Sequence, residues 1–308
     1  MKKNILITGA TSGIGYATAK GLIEKGHRLI ITGRERLKAE NAKSELEKIA
    51  KDAKVDYLLA DMSDAHSVLE LVKQIHSKIE KLDVLINNAG LLSDEKKITK
   101  DGFEAHLAIN HIMPALLANE LKPLLQKSND ARVVFLTTGG HHFGKIDFDD
   151  LQSEKSFYAF KAYGSSKLMH LMWNYTIAEE WHKEGVKVYA ADPGGAKTNM
   201  TDAMSSNYLP FPFKLLFPLM KLTVGGSVEK AAKSSIYLST SDEVKDKTAL
   251  YVNHKMKIVK SSKKSYDKEI QKKVKGKTKQ WLEKIKSRYH NMYKINSGLD
   301  VNQNRCCH

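Results

Sequence analysis

Residues 4–8 (NILIT) form an apolar run that passes straight into the glycine-rich octet 8–15 (TGATSGIG), and a helical pattern over 14–25 follows. No other feature limits the fold as much. A glycine-rich turn between a strand and a helix lets the backbone fold tightly and leaves free N–H groups at the positive end of the helix dipole. The alternation then continues. Residues 27–32 read as a strand and 35–51 as a charged amphipathic helix. Apolar runs at 55–60, 84–87, 133–137 and 186–191 are each flanked by helical patterns, and a helix at 228–238 precedes a short strand at 250–252. Continuous apolar runs are strands buried on both faces, and parallel neighbours need helical crossovers. The pattern predicts a doubly wound α/β sandwich, a mainly parallel sheet of about seven strands with helices on both faces.

The 308 residues are 42% apolar, enough to fill one large core. No apolar run reaches the length of a membrane-spanning helix, and the opening MKKNILITGA holds too short a run for a signal peptide. The two cysteines, Cys306 and Cys307, stand side by side near the last residue. That excludes a disulfide framework and a cysteine metal site, and it fits a reducing, cytoplasmic setting. The net charge of +15 suggests nucleic acid until it is located. Sixteen of the fifty basic residues, but only four of the thirty-five acidic ones, lie from Lys255 onward. The body is nearly neutral and carries no recognisable nucleic-acid module, so no nucleic-acid partner is expected.

The basic surplus falls on a helix predicted over 266–289, with Ile270, Val274, Trp281, Leu282 and Ile285 as its apolar stripe, and on a polar, aperiodic tail. The chain divides into a domain at 1–262, a basic helix at 263–290 and a flexible tail at 291–308. Such a C-terminus suits peripheral contact with an anionic membrane surface; the plainer reading is a solvated helix and tail. Residues 208–222 (YLPFPFKLLFPLMKL) differ in kind: ten of the fifteen are apolar and three are proline. Prolines interrupt a long helix. The segment reads either as broken core or as an apolar lid within a substrate loop at 205–225.

Three further motifs stand at strand ends, and a fourth lies on a helix. Gly33 and Arg34 close the second strand, with Lys38 one helical turn on, at the place where an acidic residue would select NAD. Cations there suit a 2′-phosphate, so NADP(H) is preferred and NAD(H) stays open. Asp61 and Met62 follow the third strand, where a carboxylate can meet an adenine amino group. Asp61 could instead cap a helix, although Ser63 and Asp64 are better caps. Asn88, Ala89 and Gly90 close the fourth strand. Tyr163 and Lys167, in YGSSK, are four apart and share a helix face. A neighbouring ammonium favours phenolate, so Lys167 is expected to lower the Tyr163 pKa and ready it for proton exchange with a substrate oxygen. Spacing alone would make them an ordinary surface pair. His141 and His142 have no acidic or cysteine partners at ligand spacing, so no metal is expected, and Trp173 and Trp181 read as core.

Taken in order, TGATSGIG, Asp61, NNAG, YGSSK and Pro193-Gly194 resemble the short-chain dehydrogenase/reductase family over about residues 4–290. Within it the chain looks most like the retinol-dehydrogenase-like reductases. Asn110 in AINH resembles their catalytic Asn, RVVFLTTGGH at 132–141 their RIVNVSS-x-x-H strand end, and SIYLSTSDEV at 235–244 a later segment. The resemblance implies a Rossmann-type fold and an NADP(H)-dependent oxidoreductase interconverting a lipophilic aldehyde or ketone and its alcohol. It implies Tyr163 as general acid/base, Thr138 polarising the substrate oxygen, Lys167 on the ribose and Asn110 on a water. It implies cofactor contacts from Gly9, Thr11, Ser12, Gly13, Ile14, Gly15, Arg34, Lys38, Asp61, Met62, Asn88, Ala89, Gly90, Pro193 and Gly194, with Thr198 at the nicotinamide carboxamide. It also implies a homodimer. Two departures stand out. Thr138 replaces the family's serine, and a register shifted by one would make Thr137 the hydroxyl. The sequence also opens on its first strand, where many such proteins carry a membrane anchor. A scaffold or sensor that binds NADP with little turnover is the alternative, motivated by Thr138 and the basic tail.

Overall fold

The computed structural model describes residues 2–50, 52, 54–198, 202 and 225–296, with backbone alone for 292–296. The segment 208–222, nearly all of the loop 205–225, and residues 297–308 with both cysteines lie outside the described residues.

Seven strands form one sheet: β1 Asn4–Ile7, β2 Arg28–Gly33, β3 Val55–Leu59, β4 Val84–Asn87, β5 Ala131–Leu136, β6 Val186–Ala191 and β7 Leu250–Val252. Their order is β3-β2-β1-β4-β5-β6-β7, and each pairing is parallel, where the sequence predicted a mainly parallel sheet. Alternate side chains of one strand feed two cores. Ile5 and Ile7 face the helices α1 (Gly13–Ile23) and α2 (Arg36–Ile49) and the later α7 (Val228–Thr240). Leu6, between them, faces the core of α3 (Ala65–Lys78), α5 (Met113–Leu125), α6 (Ala159–His182) and α8 (Lys268–Asn296). Both faces being covered explains the continuous apolar runs. Strand order reverses between β1 and β4, and at such a switch point a crevice opens at the carboxyl ends of the strands.

Two details differ from the sequence reading. The last helix begins at Lys268, not at Tyr266, because Asp267 accepts the backbone N–H groups of Glu269 and Ile270 and starts it there. It runs on to Asn296, through six residues expected to be aperiodic. Its buried stripe reaches Tyr289, and no Gly or Pro follows before Gly298. The second detail is a π-turn at Ala108–Ile112, between the single turn α4 (Ala105–Leu107) and α5. Such turns are rare and cluster at functional sites.

Candidate active site

The crevice between β1 and β4 is a cleft of about 420 Å³, within the usual size range of ligand pockets. Fourteen residues expected to touch cofactor line it: Gly9, Thr11, Ser12, Gly13, Ile14, Gly15, Arg34, Lys38, Asp61, Met62, Asn88, Ala89, Gly90 and Thr198. Gly9 and Gly13 have φ of +63° and +57°, a region that other residues enter only at a cost. A side chain at Gly15 would collide with the Gly9 carbonyl and the Asn88 amide. Asn88 holds the loop in this shape: its Nδ2 donates to the carbonyls of Thr8 and Gly9, at 2.8 and 3.0 Å. Thr8, which the sequence reading passed over, accepts the N–H groups of Asn88 and Ala89 on its Oγ1. The first turn of α1 has no side-chain cap and no acidic residue. An anion is what such a helix start lacks, so a dinucleotide pyrophosphate fits it.

Charge in the cleft is less simple than Arg34 and Lys38 suggested. Both are exposed, but Lys38 donates to Glu35 at 2.8 Å, and Glu35 also lines the cleft. Arg34 is in no ion pair among the described residues. The Asp61 carboxylate accepts from Ser63 N and Oγ, at 2.8 and 2.7 Å, while Asp64 caps α3. Ser63 is therefore the partner of Asp61, not the cap.

Beyond Gly90 the cleft meets a second group of side chains. A Cβ on Gly90 would lie 3.3 Å from Asn110 Oδ1 and 3.6 Å from Lys167 Nζ. Lys167 is buried, donates to the Leu136 carbonyl at 3.0 Å, and is pushed down to about 8 by desolvation. Tyr163 is half-buried one turn earlier on α6. Desolvation pushes its phenol up to about 12; a hydrogen bond with the Thr138 side chain pulls the other way and the Asp192 carboxylate adds to the rise. The expected lowering by Lys167 is thus not found. Burial sets the direction, and the Lys167 ammonium is engaged by a main-chain carbonyl.

The two adjacent threonines are clearly distinguished. Thr138 is half-buried and accepts from Gly140 N at 3.2 Å, and a Cβ on Gly140 would lie 3.4 Å from Thr138 Cγ2 and 3.2 Å from Tyr163 Cε1, so the two side chains flank the same glycine. Thr137 is buried and its hydroxyl has no partner among the described residues. The register placing Thr138 at the hydroxyl position is the one that meets Tyr163. Asn110 sits in the π-turn, its amide clamped on Leu91: Oδ1 accepts Leu91 N at 2.8 Å and Nδ2 donates to Leu91 O at 3.0 Å. Nδ2 also reaches Ser166 Oγ at 3.1 Å, so a water on Asn110 would have to share these side-chain atoms. Pro193 and Gly194 follow β6 and do not line the cleft; Gly194, at φ +66°, packs on His254.

Four buried histidines that sequence reasoning left without a role hold this half of the site. The His141 Nε2 accepts the Ser262 N–H at 3.1 Å, which leaves Nδ1 to donate to the Thr138 carbonyl at 2.6 Å. The end of β5 is thereby tied to the segment before α8. His111, next to Asn110, meets His170 of α6 at 3.2 Å and Thr278 of α8 at 2.9 Å. Burial pushes His111 down to about 3 and His170 well below its ordinary value, so both are neutral. A third pair, Glu104 and His106, is joined at 2.8 Å, and the His106 ring lies edge-on to Tyr163 at 6.4 Å. The only signal in the sequence was the RVVFLTTGGH strand end. The contacts of His141 with Ser262 and of His111 with Thr278 span more than a hundred residues, which hid them.

The comparisons agree with this geometry. The short chain dehydrogenase family model matches residues 3–209. Mouse (Mus musculus) retinol dehydrogenase 12 is 35% identical over 249 residues, covering 81% of this chain and 77% of that protein. Polyprenol dehydrogenase of Danio rerio is 31% identical over 281 residues, covering 88% and 84%. Among solved structures, the Pseudomonas aeruginosa RhlG/NADP complex superposes with a TM-score of 0.65 at 23% identity, over 82% of this chain and 94% of that one.

Proposed function

The chain belongs to the short-chain dehydrogenase/reductase family, in its retinol-dehydrogenase-like branch, and from that premise we propose that it is an NADP(H)-dependent oxidoreductase interconverting a lipophilic aldehyde or ketone and its alcohol. The observation that carries the reading is that Tyr163 and Thr138 flank Gly140 while Asn110 and buried Lys167 flank Gly90, at the end of the nucleotide cleft. The relatives named for retinol and polyprenol support a lipophilic alcohol.

NADPH, when bound, supplies the hydride. The remaining work belongs to the chain. The first turn of α1 receives the pyrophosphate and Arg34 the 2′-phosphate, with Lys38 contributing less because Glu35 partly neutralises it. Thr198 holds the carboxamide. Thr138 donates a hydrogen bond to the carbonyl oxygen, a role open to any hydroxyl. Tyr163 delivers the proton to that oxygen, and Lys167 holds the ribose and the relay behind it.

The raised phenol decides the pH behaviour. A group whose pKa lies near 12 is protonated at neutral pH, so reduction finds its proton donor ready. Oxidation needs the phenolate and gains as pH rises. A panel of lipophilic aldehydes, ketones and alcohols, followed by NADPH and NADH absorbance, tests the reading. Turnover with NADPH and a long-chain or isoprenoid carbonyl supports it. Absence of turnover across the panel, with NADPH bound, would leave a nucleotide-binding scaffold instead.

A further inference from the structure

The turn after β7 carries an unbalanced surface. From its end the chain turns back at 253–257 and pairs antiparallel with its own strand through Val252 and Ile258. The turn is built firmly. Asn253 N donates to the Lys257 carbonyl, Met256 N to the Asn253 carbonyl, and the Asn253 side chain accepts from Lys255 N and Lys257 N. This fixed framework leaves apolar side chains outside. Met256 is 43% exposed, Ile258 50% and Val259 37%. Lys255, Lys257 and Lys260 alternate with them, and Lys263 and Lys264 follow, with no acidic residue in between.

None of these five lysines is in an ion pair among the described residues. The basic helix α8 is different. Lys268 pairs with Glu179, Lys275 with Glu180, Lys286 with Glu120 and Arg288 with Asp101. Much of its charge is answered by the body it packs on. The surplus read from the sequence as one C-terminal block therefore has two parts: a helix whose charge is partly answered, and a turn whose lysines, none of them in an ion pair among the described residues, surround an exposed apolar tip.

We propose that the 253–260 turn is a membrane-docking element that seats its Met256–Ile258–Val259 tip at the interface of an anionic bilayer, with the interleaved lysines on the headgroups. Lysines beside exposed apolar side chains fit an anionic lipid surface on both counts: headgroup charge for the ammonium groups, the acyl boundary for the tip. Nucleic acid would satisfy the charge and leave the apolar tip in water. Position adds a consequence. His254, in the same turn, packs on Gly194, just after β6 at the carboxyl end of the sheet where the nucleotide cleft opens. Docking there brings the catalytic mouth to the bilayer, so a lipophilic alcohol or carbonyl compound passes between lipid and site without crossing water. This last step rests on the oxidoreductase reading; docking itself does not.

The test is flotation of the full chain with phosphatidylcholine vesicles, with and without phosphatidylserine, at low and high salt. We expect binding to phosphatidylserine vesicles only, released by salt. The double variant Lys255→Glu/Lys257→Glu should weaken it about tenfold or more, and Met256→Ser/Ile258→Ser should do so too. Lys272→Glu/Lys284→Glu, on exposed positions of α8, should change it less than either. A Met256→Trp variant keeps the test independent of folding losses: its added fluorescence should be quenched by brominated lipid, whereas Trp173, Trp181 and Trp281 are buried. Failure of the full chain to float overturns the proposal, as do flotation that depends on α8 alone, an unquenched indole in the Met256→Trp variant, or tighter binding to duplex DNA than to vesicles. Flotation reads no turnover, so a docked but inactive protein would instead count against the oxidoreductase reading.

Discussion

The cofactor half of the site and its catalytic half are held in place by different means. Around Gly9–Gly15 the important atoms are backbone, and the supports are near: Thr8, Thr32 and Asn88 bind the loop from the ends of neighbouring parallel strands. Around Tyr163 the important atoms are side chains, and their supports come from the far end of the chain. His141 is braced by Ser262, and His111 by Thr278. The first half is thus a property of the sheet's switch point. The second also draws on the C-terminal segment, through Ser262 and Thr278. If this division is right, changes in one half should leave the other's measurements untouched.

The largest effect is expected at Tyr163. Tyr163→Phe removes one oxygen from a half-buried ring, and loss of general acid–base catalysis typically costs about 10²–10⁴ in rate. NADPH affinity, read by fluorescence titration, should stay within about twofold of the parent. A loss of affinity as large as the loss of rate would join the halves that the structure separates.

Acid should act on the catalytic half through its buried histidines. His111 sits at about 3 and His170 well below its usual value because burial disfavours their charged forms. Each is neutral in the folded chain and takes a proton near pH 6.5 once unfolded. The unfolded state therefore binds more protons below that pH, and stability falls as pH drops from about 6.5 toward 3. The upper bound is about 1.4 kcal/mol per pH unit for each such group. Urea midpoints measured from pH 7 to pH 4 would show it, and His111→Asn should flatten the dependence.

On the cofactor side, Arg34→Ala should weaken NADPH about ten- to a hundredfold, the range of a charge-assisted contact, with NADH unaffected. Lys38→Ala should cost less, since Glu35 already engages that ammonium. Equal wild-type affinity for the two nucleotides would break the assignment.

What was legible in advance follows the same division. Runs such as NILIT and the glycines around Ser12 report burial and turn geometry directly, because those are local demands on the backbone. Fourteen of the expected cofactor residues line one cleft for that reason. The braces were not legible. A histidine beside a strand end looks the same whether it holds a metal, faces water or, as His141 does, locks the carbonyl of Thr138. Nor could helical spacing reveal that Tyr163 is pushed upward, since that depends on what is packed over it. The segment 208–222, read as a lid or as broken core, lies outside the described residues and does not enter this comparison. His141→Gln should lower turnover about tenfold, short of the 10² that a misplacement of about 1 Å can cost, and leave NADPH affinity unchanged.

The smallest effect is the most discriminating, because it separates two neighbours of the same type. Thr137 and Thr138 follow one another at the end of β5, so strand geometry sends their side chains to opposite faces. Thr138 Oγ1 accepts from Gly140 N, and its side chain flanks Gly140 together with that of Tyr163. The Thr137 hydroxyl is buried without a partner among the described residues, and an unsatisfied buried hydroxyl costs stability. Valine keeps the shape of threonine and removes the hydroxyl. Thr137→Val should therefore raise stability by about 1 kcal/mol, seen as a higher urea midpoint, with turnover unchanged. Thr138→Val should lose turnover, and Thr138→Ser should keep or raise it, since serine retains the donor without the methyl that stiffens χ1. If Thr137→Val is instead the variant that loses activity, the register at the end of β5 is off by one and the catalytic half must be rebuilt around the other hydroxyl.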